Sequence, residues 1–84
     1  MRFQYTTMPA LRREMRDRYK NESGVRRLKA ARWLLANCND SQLGNVFDKV
    51  GAEIGALKTR LQAKVVKLDA MLAAEDAVAT EGGE

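Results

Sequence analysis

The constraint that bears hardest on this chain is an apolar stripe in its second half. Phe47, Val50, Ile54, Leu57, Leu61, Val65, Leu68 and Met71/Leu72 follow one another at steps of three and four. Steps of that size keep one helical face apolar over many turns, close to the 3.5-residue repeat of a coiled coil. With Phe47, Ile54, Leu61 and Leu68 at heptad position a, Val50, Leu57, Lys64 and Met71 fall at d. Lys64 beside Val65 marks a drift of one position, as a straight 3.6-residue helix produces. The spacing predicts a long helix over 41–74, about 50 Å from end to end at about 1.5 Å per residue. That exceeds the core of so small a domain. Either two shorter helices lie end to end, or the far half meets a second copy of the chain. In a homodimer the interface would be Ile54, Leu57, Leu61, Val65 and Leu68.

Three glycines bear on that choice. Gly44, Gly51 and Gly55 each cost a helix interior about 1 kcal/mol. They either admit a close neighbour or mark a break near Asp48–Gly51. A break would leave a helix-turn-helix from Gln42–Asp48 and Gly51 onward, with Leu43, Phe47, Ile54 and Leu57 as its core.

Upstream, two shorter helices are expected. Thr7 suits an N-cap, with Pro9 in the first turn, where a missing N–H costs nothing. A helix over 8–20 then carries Met8, Leu11, Met15 and Tyr19 on one stripe, and Glu14 reaches Arg18 at i,i+4. Asn21 to Gly24 interrupts it, and Ser23 or Gly24 opens a second helix over 24–37. At 100° per residue, Val25, Leu28, Ala31 and Leu35 centre on its buried face. Arg26, Lys29 and Trp33 lie opposite, with Arg32 at the edge. A tryptophan on a basic face either stacks on a base, anchors a protein interface, or closes against the first helix or the N-terminal segment. In the following turn, Asn37 or Asn39 suits a left-handed C-cap, and Asp40 or Ser41 an N-cap.

The ends differ from this helical middle. Met1 to Thr7 alternates Phe3 and Tyr5 with Arg2, Gln4 and Thr6. That pattern fits either a short strand needing a partner or a terminus docked by its two aromatics. After Ala74 the residues lack an apolar face, which predicts a flexible acidic tail over 75–84. The expectation is therefore an all-α, three-helix domain over 1–74: two short helices and one long amphipathic C-terminal helix, with either a short strand or a docked terminus at the front. A chain of 84 residues buries only about 60% of its surface on folding, so pairing with a second copy would help it.

Charge is unevenly spread along the chain. Residues 1–37 hold ten Lys/Arg against three Asp/Glu, a net +7, whereas residues 38–84 hold five against eight, a net −3. A basic front points to an anionic partner, nucleic acid or an acidic protein surface. The expected contact residues are Arg26, Lys29, Arg32 and Trp33, supported by Arg12 and Arg16. With no histidine and one cysteine, Cys38, neither a metal site nor an activated nucleophile is expected. No Walker loop, GxGxxG or EF-hand loop is present, so no cofactor, small-molecule substrate or enzymatic activity is expected. No apolar run is long enough for a membrane span, and the arginine-rich front lacks a leader pattern, which points to the cytoplasm.

Two classes of function follow. One is nucleic-acid binding. In element order only, a polar-faced strand followed by two helices resembles the ribbon-helix-helix repressors, whose paired strands enter the major groove. The resemblance covers residues 2–37. It implies Arg2, Gln4 and Thr6 at base edges and the Ser23–Gly24 helix start near a phosphate. The long third helix and the dense charge of the first depart from that pattern. The other class is a helical protein–protein interaction module, such as an adaptor, inhibitor or assembly factor of a phage or plasmid.

Overall fold

The computed structural model describes the backbone of residues 7–82 and the side chains of residues 7–75. Among them the secondary structure is entirely helical: α1 (Met8–Asn21), α2 (Gly24–Asn37), α3 (Asp40–Phe47) and α4 (Ala52–Gly82). The alternating segment before Thr7, with Arg2, Gln4 and Thr6, lies outside the described residues.

Local chemistry sets most helix ends. The Thr7 hydroxyl accepts from the Ala10 N–H at 3.3 Å, with Pro9 in the first turn of α1. Glu14 and Arg18 close their i,i+4 pair at 2.7 Å. Asn39 N-caps α3 through a reciprocal capping box with Gln42, both bonds at 2.8 Å. It therefore caps the following helix, neither ending the preceding one nor leaving the cap to Asp40 or Ser41.

The long helix expected over 41–74 is two helices, making four among the described residues rather than three. Asp48 (φ 56) and Gly51 (φ 56) both take left-handed backbone, which an α-helix of L-residues does not sustain. The Lys49 N–H reaches back to the Gly44 carbonyl at 2.9 Å, closing α3 in the manner of a Schellman turn. Gly44 makes this return possible. A Cβ there would stand 2.8 Å from the Lys49 carbonyl oxygen and 3.1 Å from Ile54 Cδ1. Val50, expected on the apolar seam, lies in the break and is 74% exposed. At the other end the helical backbone continues through the boundary drawn at Ala74 and reaches Gly82.

Helix α2 lies at the centre. It packs extensively on both α1 and α4, while α3 packs more lightly on each of those two. Helix α4 runs antiparallel to α2: Arg32 pairs with Asp69, and Asp40, just beyond α2, pairs with Lys58. The core joins Ala31 and Leu34 of α2, Leu43, Val46 and Phe47 of α3, and Leu57 and Leu61 of α4. Tyr19 of α1 meets Phe47 edge-on, with ring centroids 5.9 Å apart.

Helix α2 is buried over a wider arc than its sequence suggests. Ala30 and Leu34 join Leu28 and Ala31 as fully buried residues, while Val25 and Leu35 are half-buried. The arc is wide because neighbours cover two flanks, and it extends toward the side where α1 lies. Of the residues expected at a homodimer seam, Leu57, Leu61 and Leu68 are buried within the single chain, and Ile54 and Val65 are half-buried.

Two substitutions test this packing. Leu61→Asp would bury an unpaired carboxylate at a cost of several kcal/mol, against a total stability of about 5 kcal/mol. Circular dichroism should show an unfolded chain at 25 °C. Gly44→Ala forces a backbone carbonyl to move and should lower stability by about 1–2 kcal/mol in denaturant titration, despite alanine's higher helix propensity.

Candidate functional site

The basic residues fall into separate places once the helices are packed. An open groove of about 440 Å³ runs between α1 and α2, lined by Met15, Arg18, Glu22, Arg26, Lys29 and Ala30. Met15 and buried Ala30 form its apolar floor, and three cations stand over one carboxylate on its walls. Arg26 is the most open, with its side chain 82% exposed and a loose 3.7 Å approach to Glu22. Lys29 is exposed beside it, one turn along α2. Arg18 approaches from α1 while bonded to Glu14.

Arg26 and Lys29 of the expected set thus share a site. Trp33, four residues beyond Lys29, is half-buried and packs against the core cluster, with one side remaining at the surface. Arg32 sits on the opposite flank of α2, where it faces Asp69 of α4 at 3.6 Å. Arg12 and Arg16 lie on the α3 side of α1. Arg12 lines a shallow recess with Pro9, Arg13, Gln42, Asn45 and Val46. Arg16 serves as a strut: its Nη1 donates to the Val46 carbonyl at 2.9 Å, near the end of α3, and its Nη2 pairs with Asp17 at 2.8 Å. A guanidinium there satisfies one of the carbonyls that a helix C-terminus leaves without a partner.

Arg18 lies outside the expected set. It stands three residues after Met15, a spacing that places it on the same side of α1. Nothing in the sequence shows which edge of α1 meets α2, and that choice decides which arginines reach the groove.

Cys38, just beyond α2, is half-buried. Burial pushes its thiol up from the ordinary value, outweighing the nearby Arg12 guanidinium, which pulls it down. A thiol held protonated at neutral pH is a poor nucleophile. Among the described residues, no group of histidine, cysteine, aspartate and glutamate side chains could hold a metal ion. Among them, too, no helix is long and apolar enough to cross a membrane.

Compared with protein-family models, with curated proteins and with solved structures, the chain matches none of them.

The packing roles can be separated by mutation. Arg16→Met should cost about 1 kcal/mol of stability, the loss of a partly exposed charged hydrogen bond, with no change in binding to a polyanion. Trp33→Ala should cost about 2 kcal/mol through reduced apolar burial. Thermal melts of both variants, compared with the parent chain, check these values.

Proposed function

We propose that this is a small, basic, helical nucleic-acid-binding protein whose contact surface is the groove between α1 and α2. The observation that carries this reading is the gathering of Arg18, bonded to Glu14, with Arg26 and Lys29 in a groove whose one lining carboxylate is Glu22, on two helices packed against each other. Cations on rigid helices meet a phosphate backbone with little further ordering, and the release of counterions from the nucleic acid drives association. The net charge of +4 acts in the same direction at longer range. Trp33, one turn beyond Lys29, is half-buried, and an unpaired base could stack on what it leaves exposed.

A second reading keeps the same groove but gives it an acidic protein as partner. Its specific support is the apolar floor of Met15 and Ala30 together with Trp33, which packs on the core and offers only part of its surface. An apolar floor with a basic rim suits a helix carrying both leucines and glutamates.

Fluorescence anisotropy with a short labelled duplex and a matched single strand, at several salt concentrations, tests the first reading. The parent chain should bind in the micromolar range at about 50 mM salt, with log K falling steeply against log salt. Arg26→Gln with Lys29→Gln should weaken binding at least tenfold. The same change should reduce the magnitude of the slope by about 2, since each phosphate left unneutralised removes about 0.9. No binding by the parent chain at low salt removes the nucleic-acid reading and leaves the acidic-protein one.

A further inference from the structure

We propose that the chain has a second anion site, for a phosphate group, in the groove between the start of α2 and the middle of α4. This groove of about 170 Å³ is lined by Gly24, Arg27 and Leu28 of α2 and by Lys64, Lys67 and Met71 of α4. Three cations from two helices line it, and among the described residues no carboxylate does. None of the three forms an ion pair with a described residue. Along α4, Asp69 occupies the other flank of the helix and faces Arg32.

Arg27 is held in advance. Its Nε donates to the Tyr19 carbonyl at 3.0 Å, and its guanidinium lies over the Tyr19 ring, 5.4 Å from the centroid. Tyr19 in turn packs edge-on against Phe47 of the core. The guanidinium is thus held to the fold through Nε and its approach to the ring, leaving the terminal nitrogens as donors. Such a fork matches two oxygens of a phosphate group, and the ammonium groups of Lys64 and Lys67 add mobile point charges. Like charges lining one groove repel one another, and an anion between them offsets the repulsion. The Ser23 side chain makes no cap hydrogen bond, so the first N–H groups of α2 add donors at the same end. Leu28 and Met71 give the groove an apolar floor, against which a charge-assisted hydrogen bond is less screened.

The group bound is a phosphate mono- or diester, supplied either by a nucleic-acid backbone or by a small phosphorylated molecule. The site does not depend on the reading of the α1–α2 groove. Its test is Lys64→Gln with Lys67→Gln, which keeps the side-chain stems while removing two charges. Inorganic phosphate titrated into ¹⁵N-labelled protein at low salt should give saturable amide shifts confined to residues 24–28 and 64–71. In the double variant the apparent affinity read from those shifts should fall at least tenfold. Duplex DNA then separates the two sources. A nucleic-acid backbone in the site predicts that the variant's salt slope falls by about 2 relative to the parent chain. An unchanged slope, with the phosphate shifts present in the parent chain and weakened in the variant, assigns the site to a small phosphorylated molecule. Phosphate shifts spread evenly over all basic surfaces, or unchanged in the double variant, overturn the proposal, whether or not DNA binds elsewhere on the molecule.

Discussion

Everything in this fold depends on α2 having two flanks covered at once. A helix with one apolar stripe supports one neighbour, whereas α2 buries Leu28, Ala30, Ala31 and Leu34 across a wide arc and holds α1 on one side and α4 on the other. The two alanines matter to this because they are fully buried without holding the flanking helices apart. Two flanking helices still leave a gap between them. The left-handed residues Asp48 and Gly51 turn the chain sharply enough for α3 to contribute Leu43, Val46 and Phe47 to the core between them. An uninterrupted helix from 41 to 74 would carry those side chains away from the core and leave Tyr19 without Phe47.

The same arrangement sorts the charges. Side chains on the uncovered side of α2, Arg26 and Lys29, face solvent and share a groove with Arg18 of α1. Arg32, at the rim of its covered arc, faces Asp69, and Arg27, within the arc at the first turn, is held by Tyr19. Counting charges along the chain misses this. The net −3 of residues 38–84 conceals the segment 54–68, with four cations and no carboxylate, and the packing sets two of these beside Arg27.

The amphipathic helices are legible in the sequence because their signals are local. Thr7 and Pro9 start α1, the Ser23–Gly24 pair starts α2, and Gly44 and Gly51 point to the break, which glycine cost alone does not separate from close packing. The Asn39 capping box escapes a sequence reading, since asparagine suits both the end of one helix and the start of the next. Periodicity places the buried arc of α2 too far from α1, because one helix taken alone does not show how many neighbours it has. For the same reason charge counting groups Arg12 and Arg16 with Arg26, although they lie on the α3 side of α1. Lys64 reads as the drift of a coiled-coil seam, and only the course of α2 alongside α4 sets it with Lys67 and Arg27.

Amide hydrogen exchange measured residue by residue under native conditions tests the central place of α2 most directly. If α2 holds both flanks, the amides of residues 28–34 exchange only through global unfolding, with protection matching the stability from denaturant titration. Exchange of those amides through a lower-energy local opening, while the amides of residues 57–68 in α4 stay protected, would contradict the account.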